Sequence, residues 1–308
     1  MPRIDYAQAH VSAEWDSIWS AREVSSEAQN IDRRSALFRM VEAVLAEVPP
    51  GGLVLEGGCG LGRWLLYCRG KYNIFGLERS QPALRALKEN SPDIPTVCGD
   101  VFHLPVKSGS VDLYLSFGVL EHFQGGPAEG LREAYRVLRP GSTLLITGPG
   151  YSLFSLAEGL QELSRKPLVR RLFHKPPIEK GDHFFQYRFR LAEMRRFLKE
   201  TGFEVLRVET WGNLETLWQY IPPLRHPETR RFRFYYEVVM SGTAQRLTGL
   251  GMGLHAVVRR VAPWLFAYAW AIRAAKPQTA PSESAAATAG EGHAPQADSE
   301  RVGQHDLR

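Results

Sequence analysis

Apolar positions along the chain first recur at helical spacing and then switch to short blocks. Trp15, Ile18 and Trp19 share one helical face, and Ala36, Leu37, Met40, Val41, Val44 and Leu45 form a second amphipathic stretch that Pro49-Pro50 ends. From Gly52 onward, apolar runs of strand length alternate with amphipathic segments. The pattern predicts strands at 53–57, 73–77, 95–99, 111–117 and 142–148, and helices at 61–70, 81–90 and 127–138. Such alternation builds βαβ units, and hence a mostly parallel sheet. After Pro149 the regularity loosens. The basic segment SRKPLVRRLFHKPPIEKGDHFFQYR has neither period and reads as an insertion, before a helix pattern from Leu191 to Glu200 and a strand pattern from Phe203 to Glu209. A second irregular region, Trp211 to Tyr236, leads to a helical pattern near Ala244–Val261 and a last apolar run, Trp264–Ala275, read as a final strand.

Composition narrows the class. A chain of 308 residues, 44% of them apolar, can bury a large core. The opening MPRIDYAQAHVSAEWDS has no apolar run behind a basic start, so neither a secretory signal nor an N-terminal anchor is expected. The uncharged run Ala262–Ile272 is about half of the roughly 20 residues that a membrane span needs. Cys59, Cys68 and Cys98 lack the paired spacing of a zinc site or disulfide framework; they read as reduced thiols, which makes the expected location cytoplasmic and the expected metal none. The net charge of +5 is concentrated: residues 151–276 hold 21 Lys and Arg against 11 Asp and Glu, which suits an anionic partner. Beyond Lys276 the chain has almost no large apolar residue, and 277–308 are expected to form a disordered tail.

The candidate chemistry sits at successive strand ends. The first strand runs into Glu56-Gly57-Gly58-Cys59-Gly60-Leu61-Gly62, an acid followed by a glycine-rich turn into a helix. In an open α/β sheet ligands bind at that edge, and glycines let the backbone approach them closely. The next strand ends in Glu78, where a carboxylate can accept both hydroxyls of a ribose. The third ends at Cys98-Gly99-Asp100-Val101, where Asp100 can accept from the exocyclic amine of adenine and a backbone N–H can serve a ring nitrogen. A pyrophosphate favours G-x-G-x-x-G with a bare helix N-terminus. Here the turn is G-x-G-x-G and opens on Glu56, which repels phosphate but suits a ligand carrying an ammonium and a sulfonium, so S-adenosylmethionine is favoured over NAD.

On these residues the region from about Gly52 to Pro149 resembles class I S-adenosylmethionine-dependent methyltransferases of the small-molecule type, the group related to the ubiquinone and menaquinone biosynthesis methyltransferases. The matching segments are Leu53–Gly62, Gly76–Ser80, Gly99–Pro105, Ser110–Phe123 and Leu131–Ile146, with a weaker likeness over HFFQYRFRLAEMRRFLKETGFEVL. The resemblance implies a Rossmann-like α/β fold, its seven-stranded, mostly parallel sheet flanked by helices on both faces, with the last strand antiparallel and helical or irregular cap insertions. It implies N-terminal helices over the cofactor site in 1–50, the methyltransferase domain in 51–276 with insertions at about 151–182 and 212–250, and the tail. Carried across, the cofactor contacts fall on Glu56, Gly58, Gly60 and Gly62 for the amino-acid moiety, on Glu78 and the adjoining Arg79 for ribose, and on Asp100 and Val101 for adenine. Ser116 and Phe117 would face the methionine portion, and Glu121-His122 would flank the methyl group. Glu56 and Glu78 stand where aspartate is commoner, which keeps the charge and lengthens the arm by one methylene.

The acceptor is not written in a motif. Transfer from a sulfonium needs chiefly positioning and exclusion of water. For an alcohol acceptor a near-neutral histidine could take the proton; His122 and His183 are the candidates, with His103 behind them. Phe184, Phe185, Tyr187 and Trp211 could wall an acceptor pocket, or could be core. Arg165, Lys166, Arg170, Arg171, Lys175 and Lys180 could hold a carboxylate or phosphate of the acceptor, touch an anionic membrane peripherally, or form a solvated face. The expectation is O-methylation of a small molecule such as an anionic sugar, lipid or secondary metabolite. Positive charge with interleaved aromatics supports a nucleic-acid methyltransferase as rival. Against nucleic acid, the fourth strand leads into Ser116-Phe117-Gly118-Val119 and not the Asn/Asp-Pro-Pro-aromatic motif of base-amino methylation. A cofactor-binding scaffold without catalysis remains the other rival.

Overall fold

A computed structural model of the chain describes residues 3–7, 15, 16, 19, 24, 31–33, 35–150, 183–211, 236–238, 245–247, 257 and 269–278. In chain order these form β1 (Arg3–Ala7), α1 (Ala36–Leu45), β2 (Leu53–Gly57), α2 (Arg63–Cys68), β3 (Asn73–Glu78), α3 (Gln81–Asn90), β4 (Thr96–Cys98) and β5 (Val111–Phe117). A 3-10 turn (Leu120–His122) then precedes α4 (Ala128–Val137), β6 (Leu138–Pro149), β7 (His183–Arg188), α5 (Leu191–Thr201), β8 (Glu204–Trp211), β9 (Tyr236–Val238), β10 (Gln245–Leu247) and β11 (Ala269–Ala275).

The main sheet has seven strands in the order β4-β3-β2-β5-β6-β11-β8. β4, β3, β2, β5 and β6 are mutually parallel, while β11 lies antiparallel to both β6 and β8. The order reverses between β3-β2 and β5-β6, which puts a ligand-binding crevice at the carboxyl ends of β2 and β5. Period-two alternation assigns the two faces. Leu55, Tyr114, Leu144, Ile146, Trp270 and Ile272 pack with Leu131, Ala134 and Val137 of α4 and Met194 and Leu198 of α5. Val54, Leu113, Leu115, Leu145 and Ala271 point the other way, onto Met40, Val41, Val44 and Leu45 of α1 and Trp64, Leu65 and Leu87 of α2 and α3. Burial of both faces is why these strands read as near-continuous apolar runs.

Local chemistry sets the helix starts. Ser35 caps α1 by accepting from the Phe38 N–H at 3.0 Å, and Ser80 caps α3 by accepting from Ala83 N–H at 3.4 Å. α2 begins at Arg63 and not at 61, because Gly62 holds a left-handed φ of 77°. Lys276, just past β11, donates to the carbonyls of Tyr135 and Leu138 at 2.8 Å each and so ties the last strand to the end of α4.

Three sequence expectations change. Residues 3–7 of the region read as N-terminal helices form a strand, while residues 15, 16, 19 and 24 are helical. HFFQYR, read as the irregular end of the basic insertion, is β7; it pairs antiparallel with β1, from Arg3–Arg188 to Ala7–His183, in a two-stranded ribbon outside the main sheet. Its aromatic residues suit a strand once a partner supplies the ladder. Gln245–Leu247, inside the stretch read as helical from Ala244, pairs antiparallel with Tyr236–Val238; Val257 of that stretch is helical. Residues 151–182, most of 212–250 and the tail from 279 onward lie outside the described residues. Among the described residues no helix is long and apolar enough to cross a membrane.

Candidate functional site

The glycine turn after β2 is fastened from below and crowded from above. Gly58 and Cys59 donate to the Leu77 carbonyl of β3 at 2.7 and 3.1 Å, and Gly60 donates to Glu78 Oε2 at 2.8 Å. Gly58 and Gly60 hold φ of 76° and 53°, which L side chains resist. A Cβ at Gly58 would lie 2.4 Å from Val119, and one at Gly60 2.8 Å from the Trp19 ring. Both conformation and packing therefore demand glycine there.

Three acids stand at the expected strand ends, in different states. Glu78 is held by backbone: besides Gly60 on Oε2, its Oε1 accepts from Arg79 and Ser80 N–H at 2.9 and 2.8 Å, which leaves room on Oε2 for a further donor. It thus joins the turn after β2 to the turn after β3. Glu56 is the opposite case. It is only 3% exposed, and its Oε2 has no hydrogen-bond partner. Burial pushes its carboxyl well above the ordinary range; the nearby Glu78 charge adds to this and Arg63 opposes it. A buried carboxylate oxygen without a partner is a place for a cation. Asp100 accepts the Phe102 N–H on Oδ1 at 2.9 Å, and its loop is clamped by α4. Arg136 donates to the carbonyls of Leu104 and Val106, while Glu133 accepts the Leu104 N–H.

His122, in the 3-10 turn after β5, sits between the edges of two rings. Trp15 and Phe185 each lie 4.9 Å from it, centroid to centroid, at 89° and 68°. Its Nδ1 is 2.9 Å from the Phe185 carbonyl. A carbonyl only accepts, so Nδ1 carries the proton and Nε2 keeps a basic lone pair. Burial lowers the His122 pKa below 6.5, partly offset by that hydrogen bond, so the ring is neutral at pH 7. The neighbouring Glu121 is buried, and burial pushes it up to about 8; it is protonated at pH 7 and brings no charge to the histidine.

A cavity of about 840 Å³ joins these groups. Of the sequence candidates it brings together Glu56, Gly58, Glu78, Arg79, Asp100, Val101, Phe117, His122 and Phe184. Gly60, Gly62, Ser116 and Tyr187 do not line it. Ser116 points its side chain into the interior on the alternate face from Phe117, and the Tyr187 hydroxyl donates to the Gln124 carbonyl at 2.8 Å. His183 is described only as backbone in β7, and Arg170 and Arg171 lie outside the described residues. Sequence reasoning missed Trp15, Asp16, Trp19, Arg63, Arg85 and Gln124, all on the cavity wall. The helical spacing of Trp15 and Trp19 was visible, but nothing local shows where that face docks. Asp16 anchors it by accepting from Ser80 Oγ at 2.6 Å.

Comparison with known proteins now adds a family. The methyltransferase domain family model matches residues 55–146. A Mycolicibacterium smegmatis protein named "Probable S-adenosylmethionine-dependent methyltransferase" is 33% identical over 122 residues, 38% of this chain and 47% of that protein. The mouse tRNA (carboxymethyluridine(34)-5-O)-methyltransferase is 38% identical over 116 residues, 37% of this chain and 17% of that protein. The chain therefore spans less than half the length of these relatives. A chain from the complex between the Haloferax volcanii Trm112 methyltransferase activator and a methyltransferase shares the fold, with a TM-score of 0.51, 21% identity and coverage of 86% of this chain and 98% of that one. So does the [4+2]-cyclase SpnF, at 0.51 and 18% identity, covering 90% of this chain and 100% of that one. Fold alone thus leaves the reaction open, and the family match over β2 to β6 decides the class. Residues 55–146, from β2 to β6, match the methyltransferase domain family, and the sheet with its glycine turn and strand-end acids is that of a class I S-adenosylmethionine-dependent methyltransferase fold.

Proposed function

We propose that the protein transfers a methyl group from S-adenosylmethionine to a hydroxyl of a small-molecule acceptor, with His122 as general base. The observation that carries this reading is the fixed tautomer of His122, whose Nδ1–H is held by the Phe185 carbonyl while the ring lines the same cavity as Glu56, Glu78 and Asp100. The unpartnered oxygen of Glu56 suits the ammonium of the methionine portion. Glu78 and Arg79 would meet the ribose, Asp100 and Val101 the adenine, and Phe117 the methionine chain. When bound, the cofactor supplies an electrophilic methyl on a sulfonium and leaves as a neutral thioether. His122 Nε2 takes the acceptor's proton, and the aromatic residues around it exclude water.

Titration calorimetry with S-adenosylmethionine, S-adenosylhomocysteine and NAD tests this. The first two are expected to bind at micromolar Kd, with Asp100→Ala weakening both about tenfold or more through the lost adenine contact. Binding of NAD alone would sink the reading. The tRNA methyltransferase relatives favour a second one, in which the acceptor hydroxyl belongs to RNA. Methylation of bulk tRNA, with strong salt dependence, would promote it.

A further inference from the structure

Arg136 of α4 does not line the cavity, yet its guanidinium is fully engaged on the loop that carries Asp100. A guanidinium offers five N–H groups in one fixed plane. The Nε–H of Arg136 goes to Glu133 Oε1 at 2.7 Å, and Nη2 serves Glu133 Oε2 and the Leu104 carbonyl, both at 2.9 Å. Nη1 donates to the Val106 carbonyl at 2.8 Å and to Ser108 Oγ at 3.1 Å. Glu133 Oε2 also accepts the Leu104 N–H at 2.9 Å. The two side chains thus take both backbone polar groups of Leu104, as a neighbouring strand would. Loop 99–110 is fixed on its other side by the Gly99 N–H, which donates to the Glu78 carbonyl at 3.0 Å. Between these two feet Asp100 closes a tight turn: its carbonyl accepts the His103 N–H at 3.0 Å, its Oδ1 accepts the Phe102 N–H at 2.9 Å, and the residue lines the cavity.

Resting on the reading above that Asp100 and Val101 meet adenine, we propose that Arg136, with Glu133, is a positioning residue for nucleobase selection: it holds the Asp100 carboxylate where it distinguishes an exocyclic amine from a carbonyl oxygen. A carboxylate accepts from the amine and repels a carbonyl oxygen in the same place, and both effects fade once the carboxylate can swing away. A shift of about 1 Å takes an ordinary hydrogen bond out of range. Lysine is no substitute, because a compact ammonium with three donors cannot serve Glu133, Leu104, Val106 and Ser108 together. Lysine and glutamine are both good helix formers, so α4 itself survives either change.

The test is calorimetric titration of S-adenosylhomocysteine and S-inosylhomocysteine, in which a carbonyl oxygen replaces the exocyclic amine, into wild type, Arg136→Lys and Arg136→Gln. The wild type is expected to prefer the adenine compound by about tenfold or more. In both variants the preference should shrink to about threefold or less, through weaker binding of the adenine compound, while thermal melting reports that the protein is folded. A merely structural role would weaken both ligands alike, so a wild-type ratio in either variant overturns the proposal while the methyltransferase reading stands. Added to Asp100→Ala, Arg136→Gln should change S-adenosylhomocysteine affinity by no more than about twofold, because it acts through that carboxylate; additive losses overturn it. A wild type that binds both compounds equally overturns the adenine assignment of Asp100 as well, and one that binds neither overturns the cofactor reading.

Discussion

Replacing His122 by asparagine is expected to lower kcat by about 100- to 10,000-fold, the usual range for a positioned general base, while S-adenosylhomocysteine binds within about twofold of wild type. Asparagine carries its amide N–H on Cγ, as His122 carries Nδ1, so it retains a donor for the Phe185 carbonyl that Nδ1 now reaches at 2.9 Å, and the turn between β5 and α4 keeps its tie to β7. What disappears is the basic lone pair on Nε2. The pH profile separates base from scaffold. Burial depresses the His122 pKa below 6.5, so wild-type kcat should be flat above pH 7 and fall as the ring protonates in more acidic solution. The same shift makes the folded protein lose stability as pH drops from the unfolded histidine value toward the depressed one, because the buried ring resists charging. In the asparagine variant the acid limb of kcat should vanish. An acid limb that persists, or a kcat within threefold of wild type, would assign the proton to another group.

The second large effect belongs to Glu56, where two measurements should move in opposite directions. Glu56→Gln is expected to weaken S-adenosylhomocysteine by about 30-fold or more, since a buried charge facing an ammonium contributes on the order of 2–5 kcal/mol. The same change should raise Tm of the free protein. A buried carboxyl with a raised pKa favours the folded state only while protonated; its contribution is present below the ordinary carboxyl value of 4.5 and is lost as pH rises through the raised one. The amide of the variant has no such proton to lose, so its Tm advantage should widen from pH 5 to pH 8. Cofactor binding to the wild type should also expel a proton, seen as a dependence of calorimetric heat on buffer ionisation enthalpy. If Tm rises but affinity changes less than threefold, the ammonium is held elsewhere.

The reach of the sequence can be followed residue by residue. Leu53–Gly62, Glu78 and Asp100 were legible because strand, turn and acid are contiguous, and a parallel sheet lines up successive strand ends without further instruction. Ser116 and Phe117 were not separable by family likeness, yet the alternation of β5 separates them: one side chain faces the core and the next lines the cavity. The ribbon of β1 and β7 was invisible. RIDYA is short and half polar, and what makes it a strand is a partner about 180 positions away in sequence. Trp15 and Trp19 showed a helical face whose destination only tertiary structure supplies. The basic residues Arg170 and Arg171, expected to hold an anionic acceptor, lie outside the described residues, and the described wall near His122 is aromatic instead.

The place of β11 has a consequence for synthesis of the protein. β6 and β8 are both made before it, yet they become part of one sheet only when residues 269–275 slide between them. Until the ribosome has delivered those residues, the nascent chain carries two facing open edges whose N–H and C=O groups await partners, a known route to misassembly. Translation pauses between codons 211 and 269 should therefore lower soluble yield, and chains cut in that interval should collect in the insoluble fraction even though every cavity acid is already in place.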